Sequence, residues 1–454
     1  MSSRSPEELG TAGIGRLLVR MSVPAILAQL INVAYNIVDR IYIGQMRGDG
    51  VAALTGLGLS FPIIMLVSAF SALVGIGGST RAAIAMGEGD KGKAERILGN
   101  AFSLLLVFSL VLTLFFMTFK REFLMLFGAS GQTIGYADDY LGIYLLGTVF
   151  VQLAMGLNPF ITAQGYATTG MLTVAIGALA NIVLDPILIF GFGMGVKGAA
   201  LATIVSQAIS GIWVLSFFRG GRTTLRLRRR NLGLDRALVL PMLGLGLAPF
   251  IMQSTESLVQ IVLNTGLQKY GGDEWVGAMT VMSSVMQIII LPLSGLGSGA
   301  QPIIAFNHGA RRYDRVGRTF RILLTVSLSL SLSLGGLAVL FPRLFIRVFT
   351  ADPGLTALTA KAMPVFFAGI AFMGAQMACQ QTLLGLGQAK ISIFIAMLRK
   401  IILLIPLALV LPRFLGARGV FVAEPIADCI SIATAVTLCV WRFRALRREA
   451  ARCN

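Results

Sequence analysis

The sequence predicts an all-α membrane protein: twelve transmembrane helices in two pseudo-symmetric six-helix bundles, an N-lobe and a C-lobe. Three observations predict it. The composition is apolar, twelve stretches have the length of a membrane span, and an internal repeat relates the halves. Of the 454 residues, 56% are hydrophobic and 13% are charged. Soluble globular chains carry about 25% charged residues. A soluble fold of this size would leave most of its apolar surface in water, so lipid is the expected solvent.

The apolar stretches fall at about 17–43, 52–78, 98–118, 138–160, 168–191, 197–218, 238–265, 275–300, 319–341, 358–385, 390–412 and 419–441. Turns rich in Gly, Pro and charge separate most of them. The run from Met21 to Ile43 is too long for a signal-peptide core, so it is expected to remain as the first span. Serines alternate with leucines from Ser327 to Ser333 as in a strand, yet the apolar run continues on both sides to span length. It reads as helix, with small residues suited to helix–helix contact.

The net charge of +18 raises the question of nucleic acid, but the basic residues lie in short segments between spans and form no continuous groove. No nucleic-acid partner is expected. Over alternate loops, 25 Lys and Arg fall on the side that holds both termini and 10 on the other. The positive-inside rule then places both termini in the cytoplasm of a multi-pass inner-membrane protein. The expected organisation is an N-lobe at 1–218, a basic cytoplasmic linker at 219–237, a C-lobe at 238–441 and a basic tail at 442–454. The Arg226–Arg230 cluster reads as an ordinary linker rather than a lipid-headgroup site.

The halves repeat. At a shift of 225 residues Pro24 meets Pro249. At 220, Gly75-Ile-Gly77 meets Gly295-Leu-Gly297, Gly89 meets Gly309, Gly165 meets Gly385 and Pro186 meets Pro406. At 221, Gly198 meets Gly419 and Ser210 meets Ser431. Each match is weak, but their order along the chain is not. Six helices per unit is an even number, so the copies share one orientation. They are expected to be related by an axis along the membrane normal, as in carriers with a central cavity.

Ionisable residues inside spans are costly and mark candidate sites. In the N-terminal half these are Asp39 on span 1 and Asp185 on span 5, with Asn181 one turn before Asp185 on the same face. At about 1.5 Å rise per residue, Asp39 lies about 6 Å below the outer end of its span, and Asp185 and Thr203 about 9 Å. Three helices thus bring oxygens to one level, and Tyr35 and Asn36 lie within a turn of Asp39. Two carboxylates with neutral oxygens suit either a hard monovalent cation or a proton. The plainer reading has Asp39 end its helix beside Arg40 at the interface. At the shifts above, Asp39 meets Asn264, while Asn181 and Asp185 meet Ile401 and Ile405, so the second half has no matching acidic site.

The C-terminal half carries Glu256 on span 7, Arg399 and Lys400 on span 11, and Glu424 and Asp428 four apart on span 12. Arg399 and Asp428 are expected to form a structural ion pair. Glu256 either faces the substrate cavity or pairs with Lys400. Met252, Met279, Met282 and Met286 would give such a cavity an adaptable apolar wall. The cysteines Cys379, Cys429, Cys439 and Cys453 have no metal-site spacing, and those in spans read as packing. His308, the only histidine, reads as a loop residue. No CxxC, HExxH or Walker pattern is present. Neither an enzyme nor a cofactor is expected, and ion gradients are the expected energy source.

These residues resemble the multidrug and toxic compound extrusion (MATE) transporters, bacterial type, over essentially the full length. The resemblance rests on Pro24 with Tyr35-Asn-Ile-Val-Asp39, Gly87-Glu-Gly-Asp90, Asn181-x-x-x-Asp185-Pro186 and Pro425-Ile-Ala-Asp428. It implies an antiporter that exports cationic amphiphiles in exchange for Na⁺ or H⁺, by alternating access, with Asp39, Asn181, Asp185 and Thr203 forming the N-lobe cation site. If the ion is Na⁺, Asp39, Asn181 and Asp185 would be its ligands. Glu424 stands where similar bacterial sequences are expected to hold a neutral polar residue. Small organic, cationic substrates and the lipid bilayer are the expected partners, and a monomer is expected. A flippase for lipid-linked precursors ranks second, because only Arg399 and Lys400 supply positive charge at mid-membrane. A receptor ranks third, because no sensory or effector domain is appended.

Overall fold

The computed structural model describes residues 7–46, 50–221, 223–349 and 352–453. The residues before Glu7 and Arg222 of the linker lie outside that set. Among the described residues, ten helices are long and apolar enough to cross a membrane, and two bent helix pairs bring the number to twelve. In order these are α1 (Ile14–Gly44), α2 (Gly50–Gly87), α3 (Lys91–Leu126), α4 (Ile134–Leu146 and Thr148–Ala163), α5 (Ala167–Gly191) and α6 (Val196–Arg219). The second half follows as α7 (Arg236–Gly271), α8 (Asp273–Gly309), α9 (Tyr313–Leu340), α10 (Pro353–Phe366 and Ile370–Gly385), α11 (Ala389–Leu415) and α12 (Ala417–Cys453). Several run well past the apolar stretch that predicts them. A polar residue at a helix end continues or caps the backbone spiral as Asp90 does, whose carboxylate accepts the Lys93 N–H at 2.8 Å to start α3.

Spans 4 and 10 are not straight. Their halves bend by 60° and 48°, and in each case a neighbouring hydroxyl takes up a backbone group near the bend. Thr113 of α3 donates to the Leu145 carbonyl at 2.8 Å, just before Gly147. Ser331 of α9 donates to the Ala371 carbonyl at 2.9 Å and accepts the Gly374 N–H at 3.2 Å. A bilayer offers no water for such groups, so a bend needs a protein partner. Gly147 also permits close packing, since a Cβ there would lie 2.4 Å from Ile204 of α6. The serine–leucine alternation is helical, with Ser327 and Ser331 buried on one face. His308 sits in the last turn of α8, half-buried against Tyr313, rather than in the loop that follows. Cys379 and Cys439 pack in an apolar cluster.

The chain forms two compact units that trade helix ends relative to the repeat: Leu27–Phe250 with residues up to Leu9, and Gly10–Ile26 with Ile251–Asn454. The first part of α7 packs on α2 inside unit 1, where a Cβ on Gly246 would lie 1.7 Å from the Leu73 carbonyl oxygen. Inside unit 2 the first part of α1 packs on α8, where Ser22 donates to the Leu296 carbonyl at 3.3 Å and a Cβ on Gly299 would clash with Ser22. Small residues are what let helix backbones approach this closely in lipid.

The repeat is visible in the backbone, in a register that differs in places from the sequence matches. α2 ends at Gly87 and α8 at Gly309, and the left-handed residues beyond them are Gly89 (φ 82°) and Arg311 (φ 56°). Residues 89 and 311 are 222 apart, not 220. An Arg in the left-handed region hides this match from a search for paired glycines. At the start of α6 and α12 the shift of 221 holds: Gly195 and Gly416 have φ of 56° and 61°, and Gly198 and Gly419 approach Leu188 and Leu411 alike.

The basic linker is strapped to unit 1. Buried Gln164, at the end of α4, accepts three donors on one oxygen: the Thr223 hydroxyl at 3.0 Å and the Thr224 and Leu225 N–H groups at 2.9 and 3.0 Å. Further along, Glu95 accepts the Arg226 N–H and pairs with Arg228, and Asn100 accepts the Asp235 N–H at 2.6 Å. Gln164→Leu strands those donors, so it is expected to destabilise unit 1 by about 2–3 kcal/mol, while Gln164→Glu keeps the acceptor. Thermal unfolding of the two purified variants checks this; equal midpoints would contradict it.

Candidate functional site

In unit 1, α5 ends in a π-turn, Ile187–Gly191, immediately after Pro186. Proline brings no N–H to the ladder, and a widened turn of this kind is frequent at functional sites. One residue before it stands Asp185, fully buried, with its Oδ1 accepting the Asn181 amide at 3.2 Å. The Asp39 carboxyl of α1, also buried, lies within hydrogen-bonding reach of Asp185. Three buried acceptor oxygens here meet no donor: Asp39 Oδ1, Asn181 Oδ1 and Asp185 Oδ2. Two carboxylates and an amide thus converge at a point where, among the described residues, no donor meets these three oxygens.

Of the other expected members, Thr203 on α6 is half-buried, and its hydroxyl donates to the Ala199 carbonyl at 3.0 Å, leaving its lone pairs free to accept. Tyr35 lies half-buried one turn before Asp39. Asn36 donates its amide to the Asn32 carbonyl one turn back at 2.6 Å and also hydrogen-bonds Tyr35. Arg40, beside which the plainer reading has Asp39 end its helix, is exposed and lies over the Phe61 ring at 5.6 Å. Among the described residues Asp39 forms no ion pair. Two residues missed in the sequence border this site. Tyr140 and Tyr144 of α4 are buried, stack at 6.4 Å, and lie beside Thr203 and Ser68 respectively. Their signal was present, because tyrosines four apart inside a span share a face.

Unit 2 holds a second buried charge cluster. A π-turn in α11, Leu398–Leu404, carries Arg399 and Lys400. Arg399 divides its guanidinium between two acids of α12: Nε donates to Asp428 Oδ1 at 2.7 Å and Nη2 to Glu424 Oε1 at 3.0 Å. Lys400 donates to the Glu256 carboxylate and, at 2.7 Å, to the Met252 carbonyl. That lysine therefore sits across the break in α7, between Ser254 and Glu256. Beside this cluster is a small cavity of about 60 Å³, lined by Met279, Met286 and Phe366 on its apolar side and by Glu256, Lys400 and Glu424 on its polar side. Glu256 thus both lines a cavity and pairs with Lys400. Met282 does not line it: it packs into the hydrophobic core with no exposed surface. Met252 contributes a backbone carbonyl rather than a side-chain wall. Three and seven residues from Met279 along α8, Met282 and Met286 point in directions about 40° apart, enough to split core from cavity.

Fold and sites together define a polytopic membrane protein built on a duplicated six-helix unit, with ionisable side chains buried at membrane depth in each half. The chain belongs to the MatE family, whose sequence model matches residues 24–187 and, a second time, residues 249–410. It is similar to the multidrug export protein MepA of Staphylococcus haemolyticus, with 27% identity over 420 residues covering 92% of each chain. MepA of Staphylococcus aureus (strain NCTC 8325) is 23% identical over 431 residues, 94% of each chain. Among solved structures, MATE in the bent conformation superposes with a TM-score of 0.92 at 22% identity over 99% of this chain and 100% of that one. The outward-facing conformation of a multidrug resistance MATE family transporter of the MOP superfamily gives 0.90 at 22% identity, over 98% and 99%.

Proposed function

We propose that this protein is a multidrug exporter that exchanges cationic or amphiphilic organic compounds for an inward-moving Na⁺ or H⁺ by alternating access. The observation that carries the reading is the set of three donor-free oxygens on Asp39, Asn181 and Asp185. A buried acceptor cluster is costly when left alone. A proton shared between the carboxyls, or an alkali cation among the oxygens, relieves that cost and is the natural coupling ion. Thr203 and the Tyr140 hydroxyl beside it would complete an oxygen shell for Na⁺. Filling the site favours the conformation in which it is best enclosed, which is how a bound ion shifts a two-state transporter. The similarity to export proteins along nearly the whole chain supports the substrate class.

The flippase reading stays second. In the unit 2 cluster three carboxylates, the buried Glu424 and Asp428 and the exposed Glu256, outnumber two basic side chains, a balance that disfavours a phosphate ligand. We place the protein in the cytoplasmic membrane with both termini inside, on the distribution of Lys and Arg. The test is efflux of a cationic dye from proteoliposomes under separately imposed Na⁺ and proton gradients. One gradient is expected to drive dye against its concentration difference and to stop doing so when collapsed by an ionophore. Dye movement indifferent to both gradients would overturn the exchange reading.

A further inference from the structure

The basic linker does not hang in solvent, because its backbone is laid along the first turns of α3. Glu95 accepts the Arg226 N–H at 3.3 Å, Ser103 donates its hydroxyl to the Leu232 carbonyl at 2.7 Å, and Asn100 accepts the Asp235 N–H. Between them Gly99 makes the room: a Cβ there would lie 2.2 Å from the Asn231 carbonyl oxygen. Glu95, Gly99 and Ser103 are spaced four apart, so the linker follows one face of the helix. From Glu95 to Ser103 the contact extends about 12 Å along the axis. It overlaps the start of the apolar run of α3, near residue 98, so the linker lies where the span leaves the hydrocarbon.

The continuation of that face shows what lies outside it. Beyond Ser103 the same stripe runs on through Val107, Leu110, Val111 and Leu114, all exposed. An exposed apolar stripe on a spanning helix faces lipid. The linker therefore closes the end of a lipid-facing stripe. Its own outward side chains are of two kinds: Arg226, Arg228, Arg229 and Arg230 are exposed, and so is Leu234. Arg228 has an acidic partner in Glu95 at 3.2 Å; among the described residues Arg226, Arg229 and Arg230 form no ion pair. A 3₁₀ turn, Arg229–Asn231, fixes the last two arginines, with Asn231 buried beneath them.

We propose that Arg226, Arg229 and Arg230 bind the phosphate groups of anionic phospholipids in the cytoplasmic leaflet, fixing the end of α3 to the headgroup layer. The charge run alone reads as an ordinary linker; its anchorage at the lipid face is what turns it into a headgroup site. Guanidinium forks match phosphate oxygens. Here they stand on a backbone already held by Glu95, Asn100 and Ser103, so little further ordering is needed on binding. Leu234 beside them is an apolar contact that acyl chains satisfy and a free phosphate does not. The inference is independent of what the protein exports.

The test is native mass spectrometry of the full chain in detergent, titrated with phosphatidylglycerol and, separately, with zwitterionic phosphatidylcholine. The protein is expected to retain phosphatidylglycerol in preference. The triple variant Arg226→Gln, Arg229→Gln, Arg230→Gln is expected to bind it at least about tenfold more weakly. Its unfolding temperature without lipid should be unchanged, because the anchoring bonds run through the linker backbone and Arg228. A second triple variant, Arg318→Gln, Arg321→Gln, Arg444→Gln, removes as much exposed charge from unit 2 and should keep the preference. Equal loss in both variants would overturn the proposal, since net charge rather than the linker would then hold the lipid. Should the first variant not fold, the unaltered protein decides. Raising ionic strength to about 1 M, where the screening length is about 3 Å, is expected to erase the preference, and a preference unchanged there overturns the proposal. Displacement of the lipid by inorganic phosphate or by polyglutamate would make the linker a general anion surface and overturn it too.

Discussion

Asp39→Asn and Asp185→Asn are each expected to reduce gradient-driven dye efflux to the level seen without a gradient, while the protein stays folded. The amide preserves the size of the side chain and an acceptor oxygen, so Asn181 keeps a partner at position 185. What is lost is the charge that a proton or Na⁺ answers. Neither variant should be less stable, because two buried carboxylates this close repel when both are ionised. Removing one such charge is neutral or favourable to folding. The paired measurement is efflux in proteoliposomes with the unfolding temperature in detergent. Driven efflux retained in both variants would exclude this site from coupling. A large drop in unfolding temperature would instead make the carboxylates structural.

Arg399→Met is expected to be the most damaging single substitution in unit 2, costing about 3–5 kcal/mol. It removes the basic side chain that hydrogen-bonds two buried acids, Glu424 and Asp428, and leaves their charges poorly compensated. The combination Arg399→Met, Glu424→Gln, Asp428→Asn is expected to recover most of that loss, because apolar and neutral groups of similar volume need no counter-charge. Arg399→Lys should fall between, since an ammonium cannot hold the two-acid fork that the planar guanidinium spans. Unfolding of the three purified variants gives the order directly. A combined variant no more stable than Arg399→Met alone would show that packing, not charge, sets the cost.

Much of this was legible in the sequence because lipid makes the sequence speak plainly. A span must be apolar for about 20 residues, so the spans could be counted, and a charge inside one stands out. Asp39, Asp185 and Thr203 were placed at about one depth by helical rise alone. What the chain did not disclose depends on partners distant in sequence. Gly147 reads as one more small residue in an apolar run; its role comes from Ile204 on another helix. Gln164 reads as a polar helix end, and only the fold reveals that it holds a strap some sixty residues away. Met282 and Met286 carry the same chemistry, and their separation into core and cavity is a matter of helical phase against neighbours. The repeat was found, but Gly89 was paired two residues short because its true counterpart, Arg311, is not a glycine.

The contact between Ser22 and Leu296 spans 274 residues of chain. At roughly 5–20 residues per second of synthesis, the opening turns of α1 wait roughly 15 to 55 s before the helix they pack against exists. During that interval α1 is in the membrane with Pro24 in its backbone and Ser22 without its final acceptor. Assembly of unit 2 at its first segment therefore waits for the second half of the chain, whereas Leu27–Phe250 of unit 1 is complete soon after the middle of the chain is made. A premature stop beyond Phe250 would therefore release unit 1 together with an orphaned helix start, Gly10–Ile26.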